Sequence, residues 1–182
     1  MIKPMIPGIL CVMICARIVP AAEGPDSAIF RDFEKRVSAY IQLRQSIESS
    51  LPPLKSTRSP EKISSEEHEL ARAIRDARKN ARPGDILTPE ISTEIRQVIQ
   101  GEMQSAGKRI EASLHHAEPV QLRLRVNDAY PPDVPLQSTP PSLLTNLPPL
   151  PKEVEYRVAG HDLILLDAKA NLVVDLIENV IP

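Results

Sequence analysis

The chain has 182 residues, 25% charged residues and a formal net charge of −2, which fits one folded domain of ordinary size. Aromatic residues are scarce, with no Trp, 2 Phe and 3 Tyr. A nucleic-acid-binding protein would carry a basic field interleaved with stacking aromatics, so the composition argues against nucleic acid as a partner. The 19 prolines and only 6 glycines indicate stiff, extended stretches of chain.

The first 21 residues have the pattern of a secretory signal peptide. A short positive start with Lys3 precedes a mostly apolar run at 5–16, which is too short to cross a bilayer as a stable helix. Val19 and Ala21 occupy the two positions that a signal peptidase inspects. We therefore expect cleavage near Ala21 and a periplasmic or secreted location, with a cytosolic protein that has an apolar N-terminus as the alternative.

Both cysteines, Cys11 and Cys15, lie inside this apolar run and are lost on cleavage. The processed chain would then have no thiol, which excludes disulfides, cysteine nucleophiles and cysteine metal ligands. Cleavage also leaves 20 basic and 24 acidic residues, a net charge of −4. Because no later stretch reaches about 18 apolar residues, no membrane span is predicted in the processed chain.

Three amphipathic helices are predicted next. Apolar residues recur at spacings of three and four from 27 to about 50, and two prolines after Leu51 end that helix. A cap residue followed by proline starts a second helix at Ser59 and a third at Thr88. We expect the second helix to end before Pro83 and the third to end near His116.

The pattern changes after Pro119. Apolar residues alternate with Gln and Arg over 120–126, which is the period of a half-buried strand. Residues 131–151 hold 8 prolines in 21 positions and predict a stiff connector. Three short strands follow, at 154–158, 163–166 and 172–177. Two turns rich in Gly, Asp and Asn separate them, so we expect an antiparallel meander.

The predicted fold class is α+β, with a three-helix N-terminal layer, a Pro-rich connector and a small C-terminal antiparallel β-meander. The predicted division of the chain is a signal peptide at 1–21, a helical region at 22–118, and a strand, connector and meander at 119–182 that pack with the helices as one domain.

The C-terminal pattern EYRxxGxDLxLxDxxANLxVD, at residues 155–175, resembles the C-terminal module of uncharacterised exported proteins of Gram-negative bacteria. The stretch from Leu70 to Glu90 resembles the middle of the same proteins. The tail is also similar, to a lesser degree, to the terminal β-hairpin of periplasmic proteins linked to nickel and cobalt homeostasis. The resemblance implies export, and it supplies neither a catalytic residue nor a metal ligand.

The best candidate metal ligands are His115 and His116, with Glu111 one turn earlier and Glu118 just after. Adjacent helical residues point about 100° apart, so one ion seldom binds both. The helix dipole also favours imidazoles near a helix C-terminus without any metal. Divalent-metal binding is therefore an alternative hypothesis, and no cofactor is predicted.

Asp162, Asp167 and Asp175 could serve as paired carboxylates for acid and base catalysis. Aspartates in turns accept hydrogen bonds from their own backbone, which explains Asp162 and Asp167 without chemistry. Asp175 lies within an apolar strand, so we expect it at a sheet edge or paired with Arg157. Since the sequence also has no nucleophile elbow and no glycine-rich phosphate loop, we expect a protein that is not an enzyme.

Arg72, Arg75, Lys79 and Arg82 are spaced by three, four and three residues and predict one basic stripe along the second helix. The stripe is either a solvated face balanced by the helix dipole and Asp76, or a docking surface for an acidic envelope component or an acidic protein partner. The functional hypothesis is an exported, non-enzymatic interaction or scaffold module. A periplasmic metal-binding or metal-homeostasis protein and an enzyme of unknown reaction are the alternatives.

Export predicts that the chain recovered from the envelope or medium of its host has lost its first 21 residues. Mass spectrometry of the N-terminus is expected to find Ala22 as the first residue. A cytoplasmic chain that retains Met1 would contradict export and would keep Cys11 and Cys15 in the protein.

Overall fold

The structure, a computed structural model, describes residues 25–52, 59–115, 122–132, 134 and 146–181. Its elements are α1 (Pro25–Ser50), α2 (Pro60–Ala77), α3 (Pro89–His115), β1 (Val154–Ala159), β2 (Asp162–Asp167) and β3 (Leu172–Ile177). The strands form an antiparallel sheet in the order β1-β2-β3. The predicted α+β class, with N-terminal helices and a C-terminal meander, is confirmed.

Some of the predicted features lie outside the described residues. They are the signal peptide at 1–21, residue His116 and most of the proline-rich connector. Among the described residues, no helix combines the length and the apolar character needed to cross a bilayer.

The inner face of the sheet packs against all three helices in one apolar core. Buried helical residues recur at spacings of three and four, as an amphipathic helix requires. They are Phe33, Val37, Tyr40, Ile41, Leu70, Ala71, Ile74, Ile91, Ile95 and Ile99. From the sheet, Tyr156 stacks on Phe33 with ring centroids 6.5 Å apart. The helices and the sheet therefore bury their apolar faces against each other.

The outer face of the sheet is covered by the covering segment, residues 122–132 and 134. Leu124 and Tyr130 are buried there against Ile164 and Val173. This segment forms a third layer, because the sheet carries apolar side chains on both faces and the outer face also has to be buried. Strand β2 is therefore covered on both sides, with Leu163 and Leu165 in the inner cluster and Ile164 and Leu166 in the outer cluster.

The predicted strand at 120–126 is wrong for its described part, 122–126, which forms no ladder. The expected alternation of burial is present, because Leu124 is buried and its arginine neighbours are exposed. Backbone contact with β3 comes later, where Asn127 N donates to Val173 O at 2.8 Å and Asp128 O accepts from Val173 N at 2.9 Å. Asn127 has a φ of 70°, which turns the chain out of the extended conformation.

Helix α2 ends at Ala77, earlier than predicted. Arg78 N donates to both Ile74 O and Arg75 O, which tightens the last turn. The Arg78 carbonyl then accepts from Ala81 N and from the side-chain amide of Asn127, both at 2.8 Å. The tertiary bond from Asn127 thus holds the chain in a turn where the sequence alone would continue a helix.

A β-bulge in β3 determines which side of the sheet the Asp175 side chain faces. Leu166 pairs with Val173 and Leu165 pairs with Asp175, so Val174 is an extra residue. Beyond the bulge, Asp175 faces the helices on the same side as Leu165. Arg157 is opposite Ile164, which belongs to the outer cluster.

The expected pair between Asp175 and Arg157 is therefore absent, because the two side chains face opposite sides of the sheet. Arg157 Nε donates instead to Glu155 Oε1 at 2.7 Å. The other expectation, an edge position, fits the order of the described strands, in which β3 is an edge strand. Asp175 is nevertheless 0% exposed.

Candidate functional site

The Asp175 carboxylate fastens the loop between α2 and α3 to the sheet. One oxygen accepts from Ile86 N and Leu87 N, both at 2.8 Å, and the other accepts from Gly84 N at 3.0 Å and Leu176 N at 2.9 Å. A buried charge without donors would be strongly unfavourable, so these four amides make its burial tolerable. The arrangement makes Asp175 an anchor for backbone amides.

The second fully buried carboxylate, Asp167, joins α1 to the turn between β2 and β3. Its Oδ2 accepts from the Tyr40 hydroxyl at 2.7 Å and from Arg44 Nε at 2.8 Å. Its Oδ1 accepts from Ala170 N at 2.9 Å, which is the turn bond that the sequence predicts. Asp162 instead accepts from Asn179 N at 2.8 Å, outside its own turn.

Alternating charges continue from Asp167 toward the surface. Arg44 also donates to Glu48 at 2.6 Å, and Lys169 donates to Glu48 at 2.8 Å and to Glu66 at 3.0 Å. These bonds connect α1, the β2–β3 turn and α2. The chain of charges therefore holds two helices and the sheet together.

The protonation states in this cluster follow from its contacts. Burial first, and then the charge of Asp167, raise the pKa of the Tyr40 hydroxyl above its ordinary value, so Tyr40 remains a donor. The hydrogen bond from Lys169, together with the charge of Arg44, lowers the pKa of Glu48 despite partial burial. A lowered carboxyl pKa contributes stability above about pH 4.5, and that stability is lost as the pH falls through the folded-state pKa.

Arg78 and Asn127 join the end of α2 to the segment that covers the outer face. The Arg78 guanidinium lies 5.1 Å from the Tyr40 ring centroid and donates to Val174 O at 2.9 Å and to Asn127 Oδ1 at 3.3 Å. Arg75 Nε donates to Asn127 O at 2.9 Å. Arg75 is thus tied to the protein itself, unlike a freely solvated stripe residue. Arg78 does not belong to the predicted basic stripe, and its partner Asn127 is distant in sequence. The sequence therefore gives no signal for the contact between these two residues.

The other residues of the predicted stripe are exposed. Arg72 is on α2, while Lys79 and Arg82 follow its end, so the basic residues do not form one helical stripe as predicted. The side chains of these three residues have no hydrogen bond or ion pair with any other described residue. The end of α2 therefore presents three cations to solvent.

The predicted metal site at His115 and His116 stays a prediction. His115 is the last residue of α3, but its side chain is not described, and His116 lies outside the described residues. Within the described part of the chain, no group of three or more His, Cys, Asp and Glu side chains could hold a metal ion. His161 Nδ1 lies 3.0 Å from the carbonyl oxygen of Ile181.

Comparison of the chain with protein-family models, curated proteins and solved structures gave no match. The resemblance of residues 155–175 to exported proteins therefore stays a prediction.

Replacing Asp175 with Asn tests its role as an anchor. The Asn amide group would face backbone N–H donors, so at least one buried donor loses its acceptor, and we expect Asp175→Asn to lower the free energy of unfolding by about 3 kcal/mol. Denaturant unfolding measures the change. The control is Asp162→Asn, which alters a partly exposed acceptor of one bond and is expected to cost less than about 1 kcal/mol. Equal small costs for the two variants would contradict the anchor.

Proposed function

We propose that the protein is an exported, non-enzymatic interaction module that docks onto an acidic component of the cell envelope. The observation that carries this proposal is the group of exposed cations at the end of α2, Arg72, Lys79 and Arg82, which have no partner in the described part of the chain. They create a positive region in a chain of net charge −2. Such a region attracts an anionic partner over a distance of about a Debye length.

The backbone that follows α2, next to these cations, is held in place by hydrogen bonds within the protein. Asp175 holds the backbone at 84–87, and Asp85 Oδ2 accepts from Arg82 N at 2.9 Å. Arg36 on α1 donates to the Asp85 carbonyl at 3.0 Å. A preorganised backbone loses less conformational entropy on binding, which favours a docking role.

The contacts of the candidate catalytic carboxylates support a protein that is not an enzyme. Asp167 and Asp175 are 0% exposed, and each engages both of its oxygens with internal donors. Asp162 accepts a backbone bond from Asn179. All three carboxylates therefore have a structural role that accounts for their positions.

Charge reversal at Arg72 and Lys79 tests the docking surface without disturbing the bonds of Arg75 and Arg78. We expect wild-type protein to associate with the envelope fraction of its host at low salt and to be released as salt rises. Arg72→Glu with Lys79→Glu should abolish that association and change stability by less than about 1 kcal/mol. Co-sedimentation measures association, and thermal unfolding measures stability.

The matched control is Lys62→Glu with Lys152→Glu, which reverses two exposed lysines elsewhere on the protein. Lys62 is near the start of α2, at the opposite end of the helix from Lys79. The control should sediment like wild type. Equal recovery of the Arg72 and Lys79 variant at low salt would overturn the proposed docking surface.

A further inference from the structure

We infer that Arg123 and Arg125 extend the cations at the end of α2 into one surface that binds the phosphate headgroups of an anionic membrane. This inference rests on the proposed function and names its partner. The term basic surface is used below for Arg72, Lys79, Arg82, Arg123 and Arg125.

Asn127 brings the two parts of the basic surface together. It accepts from Arg75 at 2.9 Å through its carbonyl and donates to the Arg78 carbonyl at 2.8 Å through its side chain. Arg125 is two residues before Asn127, so its Cα lies within about 7 Å of the Asn127 Cα. Arg72 is one helical turn before Arg75 and shares its face of α2. The covering segment and the end of α2 therefore meet at Asn127, close to cations of both segments.

The basic surface has an excess of unpaired positive charge. All five of its side chains are exposed, and none has a hydrogen bond or ion pair within the described part of the chain. The segments at 72–85 and 122–128 hold seven basic and three acidic residues. Asp85 and Asp128 accept backbone bonds from Arg82 N at 2.9 Å and from Arg125 N at 2.8 Å, and Asp76 is exposed on α2. Counting all three acids, positive charges in these segments exceed negative charges by four.

The residue types favour phosphate as the anion. Four of the five cations are arginines, and a guanidinium can bind phosphate through two parallel hydrogen bonds. Each basic residue near an anionic membrane adds to the attraction, without requiring a shaped pocket.

Other polyanions fit the surface less well. Single-stranded nucleic acid is normally held by aromatic stacking as well as charge, and Tyr130, which follows the arginines, is only 3% exposed. Protein interfaces need an apolar centre, but Ile63 is the one large hydrophobic side chain that is exposed in the described part, and it lies near the other end of α2. An anionic lipid surface is therefore the partner that the observations favour.

Co-sedimentation of the complete chain with lipid vesicles tests this inference. Wild type is expected to bind vesicles of phosphatidylcholine mixed with phosphatidylglycerol, to bind phosphatidylcholine alone weakly, and to lose affinity as salt rises. Arg123→Glu with Arg125→Glu should lower affinity for the mixed vesicles at least about tenfold. The Lys62 and Lys152 control should bind like wild type. All variants carry the same N-terminal apolar run, so any contribution from that run is equal among them.

Unchanged affinity of the Arg123 and Arg125 variant would overturn the extended surface, whereas the envelope test with Arg72 and Lys79 would still stand by itself. Binding to polyglutamate or duplex DNA in place of vesicles would overturn the lipid assignment. Circular dichroism checks folding. If the glutamate variant does not fold, Arg123→Gln with Arg125→Gln decides the question in the same assay.

Discussion

The carboxylate of Asp175 lies on the helical side of the sheet, where a charge without hydrogen-bond donors would be strongly destabilising. Its donors include the backbone amides of Gly84, Ile86 and Leu87, so the loop cannot leave β3 without exposing an unpaired buried charge. Because this loop connects α2 to α3, the carboxylate also fixes where one helix ends and the next begins. The position of the exposed cations follows from that constraint.

Asp167 imposes a similar constraint on α1. Tyr40 and Arg44 are on one face of that helix, and both donate to the same carboxylate oxygen. The inner face of the sheet thus contains two buried carboxylates. Helix α1 supplies donors to Asp167, and the loop between α2 and α3 supplies donors to Asp175. Buried charges with complete sets of partners fix one arrangement of helices on a sheet, because a shifted arrangement would leave them unpaired. The exposed side chains of Arg72 and Lys79, by contrast, have no hydrogen bond or ion pair within the described part of the chain.

The sequence predicts the three helices and the three strands because their periodicity, prolines and turn residues are local signals. Of the two positions expected for Asp175, the sheet edge fits the order of the described strands, whereas the pair with Arg157 is wrong. The bulge at Val174 reverses the alternation, and three of the donors to Asp175 lie about ninety residues earlier. The end of α2 depends on Asn127, which is distant in sequence.

Alternation around Leu124 correctly indicates which side chains are buried, yet periodicity carries no information about strand partners. The sequence identifies Arg72 and Lys79 as surface cations, whereas the proposal that groups Arg123 with them depends on the tertiary bonds of Asn127.

Amide hydrogen exchange at Ile86 and Leu87 tests the role of Asp175 most directly. Amides in loops usually exchange quickly, because they open locally with little free energy. If the carboxylate anchors the loop, these two amides should exchange as slowly as the paired amides of β3 in the wild-type protein, and Asp175→Asn should make them fast. Rapid exchange of both amides in the wild-type protein, at the rate of an exposed loop, would contradict the account.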